Sequence, residues 1–414
     1  MNKIIRTQPL SDVRLTAVID DRFKTSVLTA YAARPLDAEE ASLNAMLPRV
    51  LVRGSRSYPN MRKISEKLCD LYGANMVGGV RRWGEYHLFG LSMDFVNGAD
   101  LPEAAGFLTE TLLNPLTEDG AFKPDYVTSE RGKLIDALRA QRNDKGAYAI
   151  RRLEELACEG EPYSVNRLGD EERIAAITRE ALWKHYKNVL ESSKIELFYC
   201  GPREEITEVI ESKIATLSRV RVAATTNRFV KTAAARRDFT ETADLTQTKF
   251  AILWRTGVQP SDDNIMAAIL ASVIYGGDAS AKLFTHVRER LSLCYYAYAS
   301  YDRGKGVVKA HSGVEPQNLD RARAEMLGQW DEVRSGNFTD GEIASAKSAL
   351  INQWRTQSDS PYGLETFWQG QSLAGLTDTP QDWERRLNAV TRDEIISVAR
   401  GFTLDSTYTL EPNT

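Results

Sequence analysis

The chain has 414 residues, with 53 lysines and arginines against 57 aspartates and glutamates and a net charge of −4 when histidines are neutral. That length allows two or more domains. The near balance of charge implies no general attraction to nucleic acid, and no run approaches the roughly 20 apolar residues of a membrane span. The first fifteen residues, Met1 to Leu15, lack an apolar signal core, so a cytoplasmic protein is expected. Cys69, Cys158, Cys200 and Cys294 are far apart and form no Cys-x-x-Cys, so they read as reduced, mostly buried thiols. The chain has only four histidines, His87, His185, His286 and His311, which argues against a histidine-rich metal site.

In chain order, a strand is expected over Asp21 to Ala33, followed by a helix capped by Asp37 and running to Val52. Pro48 lies inside that helical pattern and predicts a kink or an early break. A second helix is expected from Asn60 to Leu71, ended by Tyr72-Gly73. Arg82 to Phe95 alternates as one long strand with a bend at Gly90. Helices follow over Leu101 to Leu113, Lys123 to Arg142 and Lys145 to Glu159. Thr178 caps a further helix that leads into a strand at Ile195 to Cys200.

Arg219 to Arg237 carries Arg219, Arg221, Arg228, Lys231, Arg236 and Arg237 without one acid, and reads as a basic linker. The earlier order then returns. A strand at Lys249 to Arg255 precedes a helix at Ile265 to Ile274, stopped by Gly276-Gly277. A helix from Ser280 to about Leu291 follows, then a strand with Tyr296 and Tyr298 on one face and Tyr295 and Ala297 on the other. Near the end, Thr391 and Glu394 have capping-box spacing ahead of a strand at Thr407 to Leu410. The two series keep an offset of about 210 to 220 residues, the mark of an internal duplication. The expected division is residues 1–218 as a first half, 219–240 as linker and 241–414 as a second half.

Several blocks, taken in order, resemble the insulinase/pitrilysin metallopeptidase family. They are Lys24-Thr25, Leu47 to Leu51, Asp70 to Ala74, Asn143-Asp144-Lys145, Ser280 to Phe284, Val287-Arg288-Glu289, Ser292 to Tyr296 and Asp359-Ser360-Pro361. Within the family the chain is most similar to non-catalytic bacterial proteins labelled as associated with aminopentanol modification of elongation factor P. The resemblance implies an α+β fold of two homologous halves. Each would be an antiparallel sheet with helices on one side, and the halves would face each other as a clamshell around a peptide chamber.

Active members carry His-x-x-Glu-His on the first long helix, two zinc ligands one turn apart with the catalytic glutamate between them. The matching positions here are Ala45-Met46-Leu47-Pro48-Arg49. A later pair of glutamates seven positions apart falls on Glu130 and Ala137, so the third ligand is also replaced. Ala45, Pro48, Arg49 and Ala137 are therefore degenerate metal-site positions, and neither metal nor cofactor is expected. Arg49 would put a permanent charge where a dication would sit. With Tyr58 it would line that region, either reading a peptide carboxylate or closing a salt bridge.

The resemblance further implies that Arg288 and Tyr295 hold the substrate backbone. Spacing alone leaves open that Arg288 pairs with a neighbouring acid and Tyr295 packs in the core. Glu85 and His87 alternate on a strand, and an ordinary sheet surface is the favoured reading of them. Gly-x-Ser-x-Gly and a phosphate-binding glycine loop are absent. The expected function is the non-catalytic, substrate-binding subunit of a heterodimeric peptidase, with a zinc-bearing His-x-x-Glu-His partner. The alternative is a peptide-binding scaffold in elongation factor P modification, with no proteolytic role.

Overall fold

The structure is a computed structural model that describes residues 3–215, 217–220, 222, 227–233 and 235–413. Three strands open the chain, β1 (Lys3–Leu10), β2 (Val13–Ile19) and β3 (Thr25–Pro35), followed by helices α1 (Ala38–Leu51) and α2 (Met61–Asp70). A hairpin of β4 (Asn75–Trp83) and β5 (Tyr86–Val96) leads to α3 (Leu101–Leu113) and to the short pair β6 (Thr117–Glu118) and β7 (Ala121–Phe122). Then come α4 (Pro124–Ala140), α5 (Lys145–Ala157), α6 (Glu171–Ala176), α7 (Arg179–Ser192), β8 (Lys194–Gly201) and α8 (Ile206–Ile214). The second half runs β9 (Arg237–Ala243), β10 (Thr248–Arg255), α9 (Ile265–Gly276), a π-helical turn at Leu283–Arg290, β11 (Cys294–Asp302) and β12 (Val307–Val314). It closes with α10 (Leu319–Ser335), α11 (Asp340–Ser358), α12 (Pro361–Ala374), α13 (Pro380–Ala389), α14 (Arg392–Arg400) and β13 (Thr403–Pro412).

The duplication is visible in the strand orders. One sheet runs β1-β2-β8-β3-β5-β4 and the other β11-β12-β10-β13-β9. Reading the second backwards aligns β2, β8, β3, β5 and β4 with β9, β13, β10, β12 and β11. The pairing sense agrees as well. β2–β8 and β9–β13 are the parallel pairs, and the remaining neighbours in both sheets are antiparallel. Each sheet is therefore antiparallel save one pair.

The compact units are not contiguous in sequence. One comprises residues 1–139, 165–226 and 358–370, and the other 140–164, 227–357 and 371–414. Each unit thus takes a helical segment from the opposite half of the chain, which a division at 218 and 241 does not contain. In the second unit, Ala149, Leu153 and Ala157 of α5 pack with Ala251, Leu253, Tyr408 and Leu410 of the sheet. The other face of β10 carries Trp254, which meets Tyr275 of α9 and Trp330 of α10 at ring distances of 5.4 and 5.5 Å. Strand alternation puts these two sets on opposite faces, so this sheet has helices on both.

The first unit repeats the device. Leu28, Ala30 and Ala32 of β3 join the main core, while Thr29 and Tyr31 between them turn to the 358–370 segment. Thr29 Oγ1 donates to Glu365 at 3.1 Å, and Arg81 stacks over Tyr31 at 4.2 Å. Glu365 is only 1 % exposed and accepts a two-pronged bond from Arg81, one arm of which is 2.8 Å. Glu154 of α5 is the counterpart in the second unit, buried and bonded to Lys309 and, at 3.1 Å, to Tyr163. Burial of a carboxylate is tolerated only with such partners.

Local expectations fared unevenly. Asp37, Thr178 and Thr391 cap their helices, the last in a full capping box with Glu394. The helix does not end early at Pro48, because α1 continues through it to Leu51. The single strand expected over Arg82 to Phe95 is a hairpin that turns at Gly84, whose φ is +54°. Gly90 is no bend. It faces Tyr31 across β3–β5, and a Cβ there would lie 2.0 Å from the Ala30 carbonyl oxygen. Gly90→Ala is therefore expected to destabilise the protein by about 3 kcal/mol or more, read from the urea midpoint. Cys69 is exposed rather than buried, and the four thiols are free. Of the stretch read as linker, Arg221 and residues 223–226 and 234 lie outside the described residues, and Arg237 already begins β9. Among the described residues no helix is long and apolar enough to cross a membrane.

Candidate functional site

Helix α1 positions the first candidate site. Asp37 accepts from the Glu39 and Glu40 amides at 2.8 and 3.3 Å and fixes the start of the helix. Ala45, Met46, Leu47 and Pro48 are buried in the core of the first unit. The Pro48 carbonyl is pressed against β4, so closely that a Cβ on Gly78 would stand 2.3 Å from it. Arg49 follows directly and is half-buried. Among the described residues its guanidinium has no hydrogen-bond or ion-pair partner, so the expected alternative of a salt bridge is not formed.

Its neighbours are committed. Arg53 pairs with buried Glu130 at 3.3 Å, and Lys133 binds the same carboxylate at 2.8 Å. Ala137, at the expected position of a third ligand, packs against the core. Tyr58 sits edge-on to Phe107 at 5.0 Å. The side chains at the five helix positions are thus methyl, thioether, isobutyl, a proline ring and guanidinium, none of which suits a zinc ion. Among the described residues no group of three or more His, Cys, Asp or Glu side chains could hold a metal ion.

Sequence reasoning missed a buried polar cluster on the same helix. Asn44 Oδ1 accepts from His185 Nε2 at 2.7 Å, and Asn44 Nδ2 donates to His87 Nδ1 at 3.2 Å. The amide has one accepting and one donating end, so these contacts fix both imidazole tautomers. Burial pushes the pKa of His87 down to about 3 and that of His185 to about 4. Both rings are neutral struts joining α1, β5 and α7. Glu85 lies in the β4–β5 turn, where its carbonyl accepts from the Leu36 amide.

The second candidate site lies in the second unit. Arg288 is on the π-helical turn, over the Phe284 ring at 4.4 Å and 3.7 Å from Glu289. Ser292 has φ +50° and redirects the chain into β11. The β11–β12 register slips between Cys294 and Tyr296, a bulge that leaves Tyr295 unpaired and 68 % exposed. Tyr295 is therefore not on the same side as Ala297, which is buried.

Tyr295 lines an open groove of about 1260 Å³, together with Asp144 and Lys145 at the start of α5, Lys249, Tyr296 and His311. Arg288 is not among its lining residues. Lys249 lies over the Tyr296 ring at 5.6 Å and donates to Gln247 at 2.7 Å, and burial lowers its pKa. His311 stands edge-on to Tyr296 at 5.4 Å, with its pKa pushed down to about 4 by burial. The groove thus offers aromatic faces and a mixture of charges beside an outer strand. Such a surface suits a peptide better than a small anion. In the first unit the corresponding outer strand, β4, carries Gly78 and Gly79 at its centre, with Val77 46 % exposed beside them.

Residues 176–350 match the family model described as the peptidase M16 inactive domain. Over 400 residues, 94 % of either chain, the sequence is 27 % identical to a Bacillus subtilis protein described as a probable inactive metalloprotease, YmfF. The crystal structure of a conserved protein from Enterococcus faecalis aligns with a TM-score of 0.90 over 99 % of both chains, at 26 % identity. A peptidase M16 inactive domain from Pseudomonas fluorescens shares the fold, with a TM-score of 0.81 over 100 % of this chain and 98 % of that one, at 15 % identity. A doubled sheet order and these likenesses agree: residues 176–350 match the peptidase M16 inactive domain, and over nearly its whole length the chain is similar to a probable inactive metalloprotease.

Proposed function

We propose that the chain holds extended peptides without cleaving them, as the non-catalytic subunit beside a zinc-bearing relative that carries His-x-x-Glu-His. The observation that carries this reading is the contrast on α1. The fold of a peptidase is kept, while the positions for ligands and catalytic glutamate hold Ala45, Pro48 and Arg49. Two outer strands, β4 and β11, have free backbone edges of the kind that accept an added peptide strand. Tyr295, exposed by its bulge, would hold the peptide at the second-unit groove, with Arg288 on the preceding turn as its supporting donor.

The test is co-expression of the tagged chain with the His-x-x-Glu-His homologue of the same genome. The expected result is a stable complex that cleaves peptides, in which zinc is stoichiometric with the partner. The chain alone is expected to bind peptide, contain no stoichiometric zinc and cleave nothing. Chelator-sensitive cleavage by the chain alone would refute the reading. Recovery of elongation factor P or a modifying enzyme, with no peptidase relative, would replace it with the scaffold role.

A further inference from the structure

We infer that Arg49 reads an acidic side chain on a peptide paired along β4, which makes the preferred ligand of the first unit an extended peptide with a central aspartate or glutamate. This rests on the peptide-holding role proposed above and specifies its chemistry.

Three observations on one unit converge. First, β4 is the outermost strand of its sheet, bonded to β5 on one side only, so backbone groups along its other side are available to an incoming strand. Gly78 and Gly79 at its centre present no side chains to obstruct one.

Second, the last turn of α1 is pressed onto β4 at Gly78. A peptide continuing the sheet would alternate its side chains between the two faces, and those on the helix side would come up beside α1. Arg49 begins one residue beyond that contact.

Third, Arg49 is an unmatched cation among the described residues. Arg53, one turn further along the chain, is bonded to Glu130. Arg49 has lost part of its hydration to burial and gained no acceptor within the described residues. The end of a helix favours a cation there, but that explains neither the half-burial nor the missing acceptor. A carboxylate supplied by a ligand explains both, since a guanidinium offers two parallel donors that match its two oxygens. A phosphate group would call for several convergent cations, and Arg53 is already neutralised by Glu130. A terminal carboxylate would lie along the strand axis, whereas a side chain points toward the face on which α1 sits.

The experiment uses the full chain and three fluorescent nonapeptides of alternating valine and threonine, acetylated at the N-terminus. One has a central glutamate and an amidated C-terminus, one a central glutamine and an amidated C-terminus, and one a central glutamine and a free C-terminus. Anisotropy titration is expected to give at least tenfold tighter binding of the glutamate peptide than of either glutamine peptide. Arg49→Gln should abolish that preference while leaving the glutamine peptides unchanged, and Arg49→Lys should keep part of it. The preference should also shrink as salt is raised.

Equal binding of all three peptides, or a preference that survives Arg49→Gln, overturns the inference and leaves peptide holding intact. A preference for the free C-terminus would overturn the assignment to a side chain. If none of the peptides binds, the peptide-holding role falls, and this inference with it. Thermal melting of each variant establishes that it is folded before the titrations are compared.

Discussion

Glu365→Ala is expected to lower the free energy of unfolding by about 3–5 kcal/mol, because it strands a largely buried guanidinium. The Glu365 side chain is almost wholly enclosed, and Arg81 is less than a third exposed. Burial works against the Arg81 charge, but Glu365 more than offsets it and holds the guanidinium pKa above its ordinary value. Thr29 donates to the same carboxylate, and Arg81 is also stacked on Tyr31. Removing the acid therefore leaves a cation and a hydroxyl without their acceptor, beneath a helical segment that shields them from water. Glu365→Gln keeps the shape and one acceptor and should cost about 1–2 kcal/mol. Replacing both partners with methionine should come closer to wild type than the alanine single variant, since no buried charge remains. Urea titrations followed by tryptophan fluorescence measure all three. An unchanged midpoint for Glu365→Ala would mean that the 358–370 segment is not anchored through this pair.

Acidification should have a comparable effect. Folding holds His87 and His185 far below the ordinary histidine pKa of about 6.5, at about 3 and about 4, chiefly through burial. Between pH 6.5 and pH 4 the unfolded chain therefore binds more protons than the folded one, and stability must fall with pH across that window. The stabilisation is complete above pH 6.5. Lowering the pH to 5 should remove about 2 kcal/mol for each of the two rings, roughly 4 kcal/mol together. The charge of Arg34 near His185 acts in the same direction, whereas at His87 a hydrogen bond with the Arg167 backbone works against burial without overcoming it. The check is a series of urea midpoints from pH 7.5 to pH 4.5, for wild type and for His87→Phe with His185→Leu. The double variant should show a much shallower pH dependence, even if it is less stable at pH 7.5. Parallel slopes would assign the acid sensitivity to other groups.

Much of the scaffold could be read from residues that act locally. Asp37, Thr178 and Thr391 announce helix starts because a short oxygen-bearing side chain can close on the next turn's amides. Those signals, repeated at a nearly constant offset, revealed the duplication. The β4–β5 hairpin was hidden because Arg81, Arg82 and Trp83 look like part of one continuous alternation, and a Gly84-Glu85 turn is a weak punctuation mark. The bulge at Tyr295 could not be read either, since an extra residue in a strand changes register without changing composition. The exchanged segments were illegible for a deeper reason. The apolar stripe of α5 shows that it packs somewhere, but nothing in Ala149, Leu153 and Ala157 says on which sheet. At the candidate sites, the sequence already shows residue types poorly suited to zinc at positions 45–49. That Arg49 lacks a partner, and that Asn44 joins two histidines, depends on what lies opposite them in space.

The trade of segments between halves bears on how the protein is made. When the first 218 residues have left the ribosome, Arg81 and Thr29 still lack Glu365, which is translated more than a hundred residues later. Residues 140–164 have meanwhile emerged without the strands they cover. Neither half can finish its own interior before the other has been synthesised. A chain cut between α8 and β9 should then yield two fragments that are poorly soluble apart and recover a native fold when mixed.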